Sequence, residues 1–234
     1  MWKKPLLFLC LIGIILWSAA GKEALPADAV AELPAETKYI ALTFDDGPRR
    51  ETTARLLDGL RERGASATFF LVGEELAGNE DLVERMAAEG HQIGNHTWSH
   101  VRLGGTSPEN AGQEVRKTEE ALREILGEEN FWLRPPYGII DEGMEVNVPM
   151  VKWSVDPRDW EKRDTAKVVR AVLQDAGPNA VILLHDIYPT SVEAALQVVD
   201  ALQKEGYWFV TVEELMRLNG ITPQAGVMYR SGKG

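Results

Sequence analysis

Thiols are almost absent from this chain. The 234 residues include one cysteine and four histidines. Cys10 lies inside the N-terminal apolar stretch, and bulky Leu9 precedes it where a lipoprotein signal would have a small residue. Beyond that stretch, neither disulfides nor a cysteine-bound metal can stabilise the fold. Any metal site must therefore be built from histidines and carboxylates.

Positive charge is also scarce. The sequence has 25 Lys and Arg against 36 Asp and Glu, a formal net charge of -11. No stripe of basic residues interleaved with aromatics offsets this charge, which argues against a nucleic-acid partner. With 44% hydrophobic and 26% charged residues, the composition is that of a soluble globular domain and excludes a membrane bundle. A neutral or cationic substrate suits such a protein better.

Long apolar runs are missing except at the N-terminus. Two lysines precede the apolar residues 6–17 and the small residues 18–20, a pattern that predicts a signal peptide over residues 1–20. Its apolar part is shorter than the ~20 residues of a membrane span, and an uncleaved anchor stays open as the alternative. Residues 21–36 predict a disordered linker and residues 37–234 the folded domain. We expect a secreted or cell-wall-facing protein with membrane contact only through its N-terminal segment.

Strand-like and helix-like segments alternate along the domain. Strand-like runs cover residues 39–44, 67–72, 181–184 and 208–210, and helical periodicity covers residues 51–63, 82–89, 108–126, 165–176, 191–205 and 212–218. This order predicts parallel strands with helical crossovers. Residues 138–150 leave little room for a helix, and the domain is shorter than the ~250 residues of a typical eight-stranded barrel. The predicted fold is therefore α/β, a distorted and incomplete (β/α) barrel.

Reactive side chains directly follow five short apolar runs. They are Asp45 with Asp46, His96 with His100, Arg134, Asp156 with Asp159, and His185. In a parallel barrel the carboxyl ends of the strands form one face, so these groups are expected to meet in one cleft. The pattern predicts a single active site.

The histidine pair and the carboxylate pair each allow two interpretations. His96 and His100 would share one face of a helical turn, either as metal ligands or as a solvated surface. Asp45 and Asp46 form a turn with the following Gly and Pro, or they bind a cation that offsets their mutual repulsion. In the second case one carboxylate completes a metal site and the other remains as a base.

The other clusters are equally ambiguous when taken singly. Arg134, before two prolines, is a surface residue of a rigid loop or the partner of a catalytic carboxylate. The segment from Asp156 to Trp160 is a turn, or it supplies a carboxylate that orients a histidine and an aromatic wall for a sugar ring. His185 is a core histidine or a catalytic one, whereas His91 begins its strand and is expected to be structural.

Together these segments resemble the polysaccharide deacetylases, the NodB-homology carbohydrate esterases of family 4. The match covers nearly all of residues 39–212 and includes the five family motifs in order. The motifs correspond to residues 43–48, 96–100, 134–138, 156–160 and 183–185. The resemblance implies a distorted barrel with about seven βα units.

The resemblance also implies roles for individual residues. Asp46, His96 and His100 would hold a divalent metal, usually zinc. Asp45 would be the general base and His185 the general acid.

Further residues of the same motifs would support these groups. Arg134 would pair with Asp45, and Asp159 would orient His185. The backbone N–H of Tyr137 would help to bind the oxyanion, and Leu183 and Trp160 would line the acetyl pocket.

The expected activity is that of an exported metal-dependent hydrolase that removes N-acetyl groups from β-1,4-linked hexosamine polymers. Peptidoglycan is the first candidate substrate, with O-acetyl xylan and chitin oligomers as alternatives. A catalytically silent glycan-binding module is the alternative from another class. We expect a monomer whose partner is the acetylated glycan.

Overall fold

The computed structural model describes residues 37–127 and 130–233. The predicted signal peptide or anchor and the linker, residues 1–36, lie outside the described residues. Among the residues that are described, no helix combines the length and apolar character needed to cross a membrane.

Parallel strands form one curled sheet. The strands are β1 (Lys38–Asp45), β2 (Thr68–Leu71), β3 (Gln92–Asn95), β4 (Trp132–Leu133), β5 (Met150–Val151), β6 (Val181–His185), β7 (Tyr207–Val210) and β8 (Met228–Tyr229). Their order is β6-β1-β2-β3-β4-β5-β8, and β7 pairs with the first half of β1. Two single bridges, Val155 with Ile182 and Ala180 with Ser231, link the ends of this order. The barrel is therefore curled but incompletely hydrogen-bonded around its circumference.

Helices cover the outside of the sheet. They are α1 (Arg50–Glu62), α2 (Glu80–Ala88), α3 (Pro108–Leu126), α4 (Asp159–Lys162), α5 (Thr165–Asp175), α6 (Pro189–Lys204) and α7 (Val212–Leu218). Local sequence signals mark several of their ends. The Ser107 side chain caps the N-terminus of α3, and Gly127, with φ of 67°, is the C-cap of that helix. Thr211 caps the N-terminus of α7 in a capping box with Glu214.

Side-chain alternation along β1 divides the core into two layers. Ile40, Leu42 and Phe44 pack into the large apolar cluster that includes residues of α1 and α6. Ala41, on the opposite face, belongs to a second cluster with Phe70. Since side chains alternate along a strand, Thr43 and Asp45 share the face of Ala41. The polar end of this inner face is where the site forms.

The architecture confirms the predicted distorted, incomplete (β/α) barrel. Helices α3 and α7 have the predicted bounds, and the ends of the other long helices lie at most two residues from the predicted ones. No helix occurs within residues 139–149, as the shortage of room there predicted. The two-residue strand β8 was not predicted, because so short a run has no periodicity to detect.

Candidate active site

The predicted site residues meet at the carboxyl ends of the strands. Asp45 ends β1 and His185 ends β6, and the two are register partners. His96 directly follows β3, and Arg134 directly follows β4. Asp159 begins α4, on the connection between β5 and β6. Groups that are far apart in the sequence therefore lie together at one end of the sheet, as the strand-end pattern predicted, but Asp156, which was expected among them, does not join them.

Asp46, His96 and His100 form a cluster that could hold a metal ion, with one ligand atom of each residue within 4.8 Å of the others. The Asp46 Oδ1 atom lies 3.5 Å from His96 Nε2 and 3.2 Å from His100 Nε2. This oxygen is buried and has no hydrogen-bond partner. A buried acceptor without a donor is costly, and a divalent cation would satisfy it. Two imidazoles and a carboxylate also match the donors that such metals prefer.

The tautomer of His96 suits metal binding. Its Nδ1 lies 2.6 Å from the carbonyl oxygen of Arg134. Because a carbonyl can only accept, Nδ1 carries the proton and donates it, which leaves the Nε2 lone pair directed at Asp46. Burial lowers the pKa of His96, although Asp45 and Asp46 oppose this shift. The imidazole is thus held neutral, the form that binds metals.

The expectation that His96 and His100 lie on a helical turn is wrong. Residues 96–101 contain no helix, and Thr97 and His100 have φ of 66° and 57°. Asn95 accepts the backbone N–H of Thr97 at 2.8 Å, which starts the turn locally. The Ser99 backbone N–H donates to Glu114 on α3 at 2.8 Å. These hydrogen bonds hold the loop in a conformation that brings the two imidazoles together. The bond from Ser99 to Glu114 is long-range, and the spacing of the two histidines in the sequence does not reveal it.

Asp45 and Arg134 form a buried ion pair. Arg134 Nη1 donates to Asp45 Oδ1 at 2.7 Å and to Thr43 Oγ1 at 2.7 Å. The remaining guanidinium nitrogens donate to the backbone carbonyls of Val151 and Lys152. Burial alone would raise the pKa of Asp45, but Arg134, with help from His96 and His185, lowers it below its ordinary value. Asp45 is therefore ionised at neutral pH and able to accept a proton.

His185 is held by Asp159. Its Nδ1 lies 2.8 Å from Asp159 Oδ1, and its backbone N–H donates to Asp159 Oδ2 at 2.8 Å. Nε2 faces the cleft, 3.9 Å from Asp46 Oδ2. Burial would lower the pKa of His185, but Asp159, together with Asp45 and Asp46, raises it to about 9. The imidazole thus carries a proton at neutral pH, as a general acid must.

The remaining predicted residues differ in exposure. Tyr137 is 60% exposed and packs edge-on against His100, with ring centroids 5.0 Å apart. Its φ of 59° is unusual for a non-glycine residue and is the kind of backbone strain found at functional sites. Trp160 is 45% exposed on α4, whereas Leu183 is 3% exposed inside β6. Trp160 therefore offers surface to a ligand, and Leu183 offers almost none.

Asp156 and His91 lie apart from this network. Asp156 is exposed, and its side chain accepts the backbone N–H of Arg158 at 2.9 Å, as a turn residue does. His91 is buried, its Nδ1 accepts the Ala67 N–H, and burial lowers its pKa to about 4. A neutral histidine packed in the core agrees with its expected structural role.

Sequence reasoning missed a buried carboxyl group beside the site. Asp186 is fully buried and accepts a hydrogen bond from Thr53 Oγ1. It lies directly against Gly47, where an added Cβ would come within 2.5 Å of Asp186 Oδ1. Burial is the largest cause that raises the pKa of Asp186, to about 7, and Asp46 contributes to the rise. The polar residue after His185 was the available signal, but nothing local distinguishes it from an exposed turn residue.

Comparisons with known proteins agree with this geometry. The family model described as Polysaccharide deacetylase matches residues 32–148. Peptidoglycan-N-acetylglucosamine deacetylase PgdA of Listeria monocytogenes is 38% identical over 203 residues, which are 85% of this chain and 44% of that protein. Peptidoglycan-N-acetylmuramic acid deacetylase PdaC of Bacillus subtilis is 38% identical over 202 residues, with coverages of 83% and 43%. The chain thus spans less than half the length of these curated relatives.

Solved structures show the same fold. The structure of PdaC from Bacillus subtilis has a TM-score of 0.77 at 37% identity, covering 80% of this chain and 94% of that one. A family 4 acetyl xylan esterase from Clostridium thermocellum, in complex with a cobalt ion, has a TM-score of 0.79 at 32% identity, with coverages of 83% and 98%. These matches and the strand-end constellation together establish that the chain belongs to the polysaccharide deacetylase family of hydrolases.

Proposed function

We propose that the protein is an exported, metal-dependent deacetylase that removes N-acetyl groups from β-1,4-linked hexosamine polymers, with peptidoglycan as its substrate. The observation that carries the proposal is the buried, unpartnered Asp46 Oδ1 facing two imidazole Nε2 atoms. Peptidoglycan is favoured because PgdA and PdaC are named for its two sugars. Since both are 38% identical to this chain, similarity favours neither sugar.

Asp46, His96 and His100 would hold the metal, and zinc is the expected ion. A divalent cation bound there supplies Lewis-acid polarisation of the acetyl carbonyl and a more acidic water, with a pKa lowered from ~15.7 toward ~7. Only three protein ligands are present among the described residues. This number is typical of catalytic rather than structural zinc.

The protein residues supply the proton transfers. Asp45, ionised by Arg134, accepts the proton of the attacking water. The Tyr137 backbone N–H donates to the oxyanion that develops at the acetyl carbon. His185, protonated beside Asp159, gives its proton to the departing amine. Acetate and a free amino sugar are the products. The proton taken by Asp45 and the proton of the newly formed acetic acid pass to solvent, and His185 is reprotonated from solvent.

Acetate release from the purified full chain tests this proposal. Substrates are N-acetylated peptidoglycan, chitin oligomers and O-acetyl xylan, each with and without a chelator, and the bound metal is identified by mass spectrometry. Asp45→Asn should abolish release while metal binding persists, because the three ligands are intact. Asp175→Asn, which removes an exposed carboxylate, is the matched control.

The outcomes separate the competing functions. Release that is unchanged after thorough metal removal and in Asp45→Asn would overturn the mechanism. Tight wall binding without acetate would favour a silent binding module, and preferential release from xylan would favour the esterase alternative. Export is tested by the location and intact mass of the mature chain, which also distinguish cleavage of residues 1–20 from anchoring.

A further inference from the structure

An open surface cavity of about 280 Å³ on α4 and α5 carries concentrated positive charge. It is lined by Lys162, Lys167, Arg170, Ala171 and Gln174, from α4 and α5. Three of these five residues are basic and none is acidic, although the chain as a whole has a net charge of -11. The charge of this cavity therefore opposes that of the rest of the protein.

The basic groups of the cavity are largely free to bind an anion. Among the residues that the structure describes, the side chains of Lys162 and Arg170 make no hydrogen bond or ion pair. Lys167 lies 3.4 Å from Asp164, and both side chains of that pair are solvent-exposed. Exposed pairs of this kind are weak and exchange readily for other partners.

The cavity is connected to the site through α4. This single-turn helix begins with Asp159, which orients His185, and continues with the half-exposed Trp160. Lys162 is the last residue of α4, three residues after Asp159 and thus ~4.5 Å along the helix axis. Trp160 and Lys162 are two residues apart on this helix, so a glycan strand that packs on Trp160 would carry its substituents past Lys162.

We propose that this cavity binds carboxylate groups carried by substituents of the glycan strand, and so makes the enzyme prefer an anionic acetylated glycan to a neutral one. The inference rests on the proposed function and narrows its substrate class. Arg170 can pair with a carboxylate in bidentate fashion, while Lys162 and Lys167 act as point charges. In peptidoglycan the stem peptides carry such carboxylates, as do lactyl groups without an attached peptide, whereas chitin oligomers carry none.

A second, larger groove shows that this preference is local. It has a volume of about 430 Å³ and is lined by Glu80, Glu84 and Glu124 together with Trp98 and several small or apolar residues. No basic residue lines it. Carboxylates are repelled there, so the cavity beside α4 is the better receptor for an anionic substituent.

The test compares two charge-matched double variants of the full-length protein. Lys162→Gln/Arg170→Gln removes the unpaired cations of the cavity. Lys204→Gln/Arg217→Gln removes two exposed cations at the opposite end of the barrel. Lys204 lies at that end because the carbonyl of the next residue, Glu205, accepts from Lys38 at the start of β1, ~23 Å along the strand from Asp45. Arg217 is on α7, whose first residues donate to the side chains of Thr68 and Gln92 at the starts of β2 and β3.

Acetate release is measured on neutral N-acetylglucosamine oligomers, on peptidoglycan strands with free carboxylates, and on the same strands after amidation of those carboxylates. For the cavity variant we expect kcat/KM on the carboxylated strands to fall about five- to tenfold through KM, with kcat unchanged. Neutral and amidated substrates should change less than about twofold, and the control variant should match wild type throughout.

Binding to carboxylated and amidated strands, measured by cosedimentation, gives a second readout that does not require turnover. If the wild type releases no acetate from any substrate, the proposed function fails, while the binding difference still tests the cavity. Equal losses on all substrates, or no loss on carboxylated strands, would overturn the inference. The inference would also be overturned if the cavity variant lost binding to anionic phospholipid vesicles and kept its binding to carboxylated strands, because the cavity would then bind a membrane surface.

Discussion

Replacing Asp159 by Asn should move the alkaline limit of catalysis to lower pH. Asp159 is fully buried and binds both the ring and the backbone N–H of His185. The Asn side chain has almost the same shape but no charge. The imidazolium of His185 therefore loses its nearest counter-ion while its burial is unchanged.

The magnitude follows from the pKa of His185. Its rise from 6.5 to about 9 corresponds to ~3 kcal/mol of preferential stabilisation of the charged ring. With Asp159 neutral, we expect this pKa to fall toward ~6.5. At pH 8 the protonated fraction of His185 would drop from about 90% to about 3%. The fraction of enzyme that carries the general acid in its protonated form would therefore fall roughly 30-fold.

Two measurements check this prediction. The first is kcat/KM for acetate release between pH 5.5 and 10, whose alkaline limb reports the acid of the free enzyme. The second is an NMR titration of the histidine ring protons on chelator-treated protein, since a bound cation would add its own charge. Asp156→Asn is the control, because this exposed carboxylate of the same segment does not contact His185.

The same pKa shift has a consequence for stability. A histidine with a raised pKa in the folded state stabilises the fold fully below ~6.5, and this contribution disappears as pH rises through ~9. The difference in unfolding free energy between wild type and Asp159→Asn should therefore narrow over that range. An Asn variant whose alkaline limb and NMR titration both remain near pH 9 would refute the assignment of Asp159 as the cause.

Three further substitutions probe the buried charges around the site. Arg134→Ala should reduce the free energy of unfolding, measured in urea, by ~3–5 kcal/mol, because it leaves Asp45 buried without its partner. The control Arg50→Ala, at an exposed ion pair, should have little effect. Similar losses for both variants would contradict this reasoning. As pH rises from ~4 to ~7, the Asp186→Asn variant should gain up to about 4 kcal/mol of stability relative to wild type. Folded wild type must keep a proton on the buried carboxyl group of Asp186, whereas the unfolded chain loses this proton. A stability difference that does not change with pH would exclude the raised pKa of Asp186. Gly47→Ala should lower the thermal midpoint of unfolding, because the added Cβ would contact Asp186, and the loss of stability should be ~1–3 kcal/mol. Adding Asp186→Ala to this variant should recover part of the loss. Additive effects of the two substitutions would show that the two residues do not interact.

Much of the fold and of the site was predictable, for a local reason. An apolar run followed at once by a charged residue is visible in the sequence, and parallel topology brings all such strand ends to one face. The bounds of α3 and α7 were predictable for the same reason, because their apolar periodicity and their capping residues are patterns of residues close together in the sequence. By contrast, β8 is too short for a period, and the loop from His96 to His100 depends on Glu114 of α3.

Read alone, the amino-acid sequence limits the chemistry of the domain to carboxylates, imidazoles and one arginine at strand ends, with no thiol beyond the N-terminal stretch. Long-range contacts in the folded protein divide these groups between different roles. Side-chain alternation turns Asp45 inward onto Arg134, whereas Asp46, at φ 72°, turns out of the strand toward the two imidazoles. The tertiary structure also buried Asp186 against Thr53. These outcomes depend on contacts between residues far apart in the chain, and no local pattern encodes them.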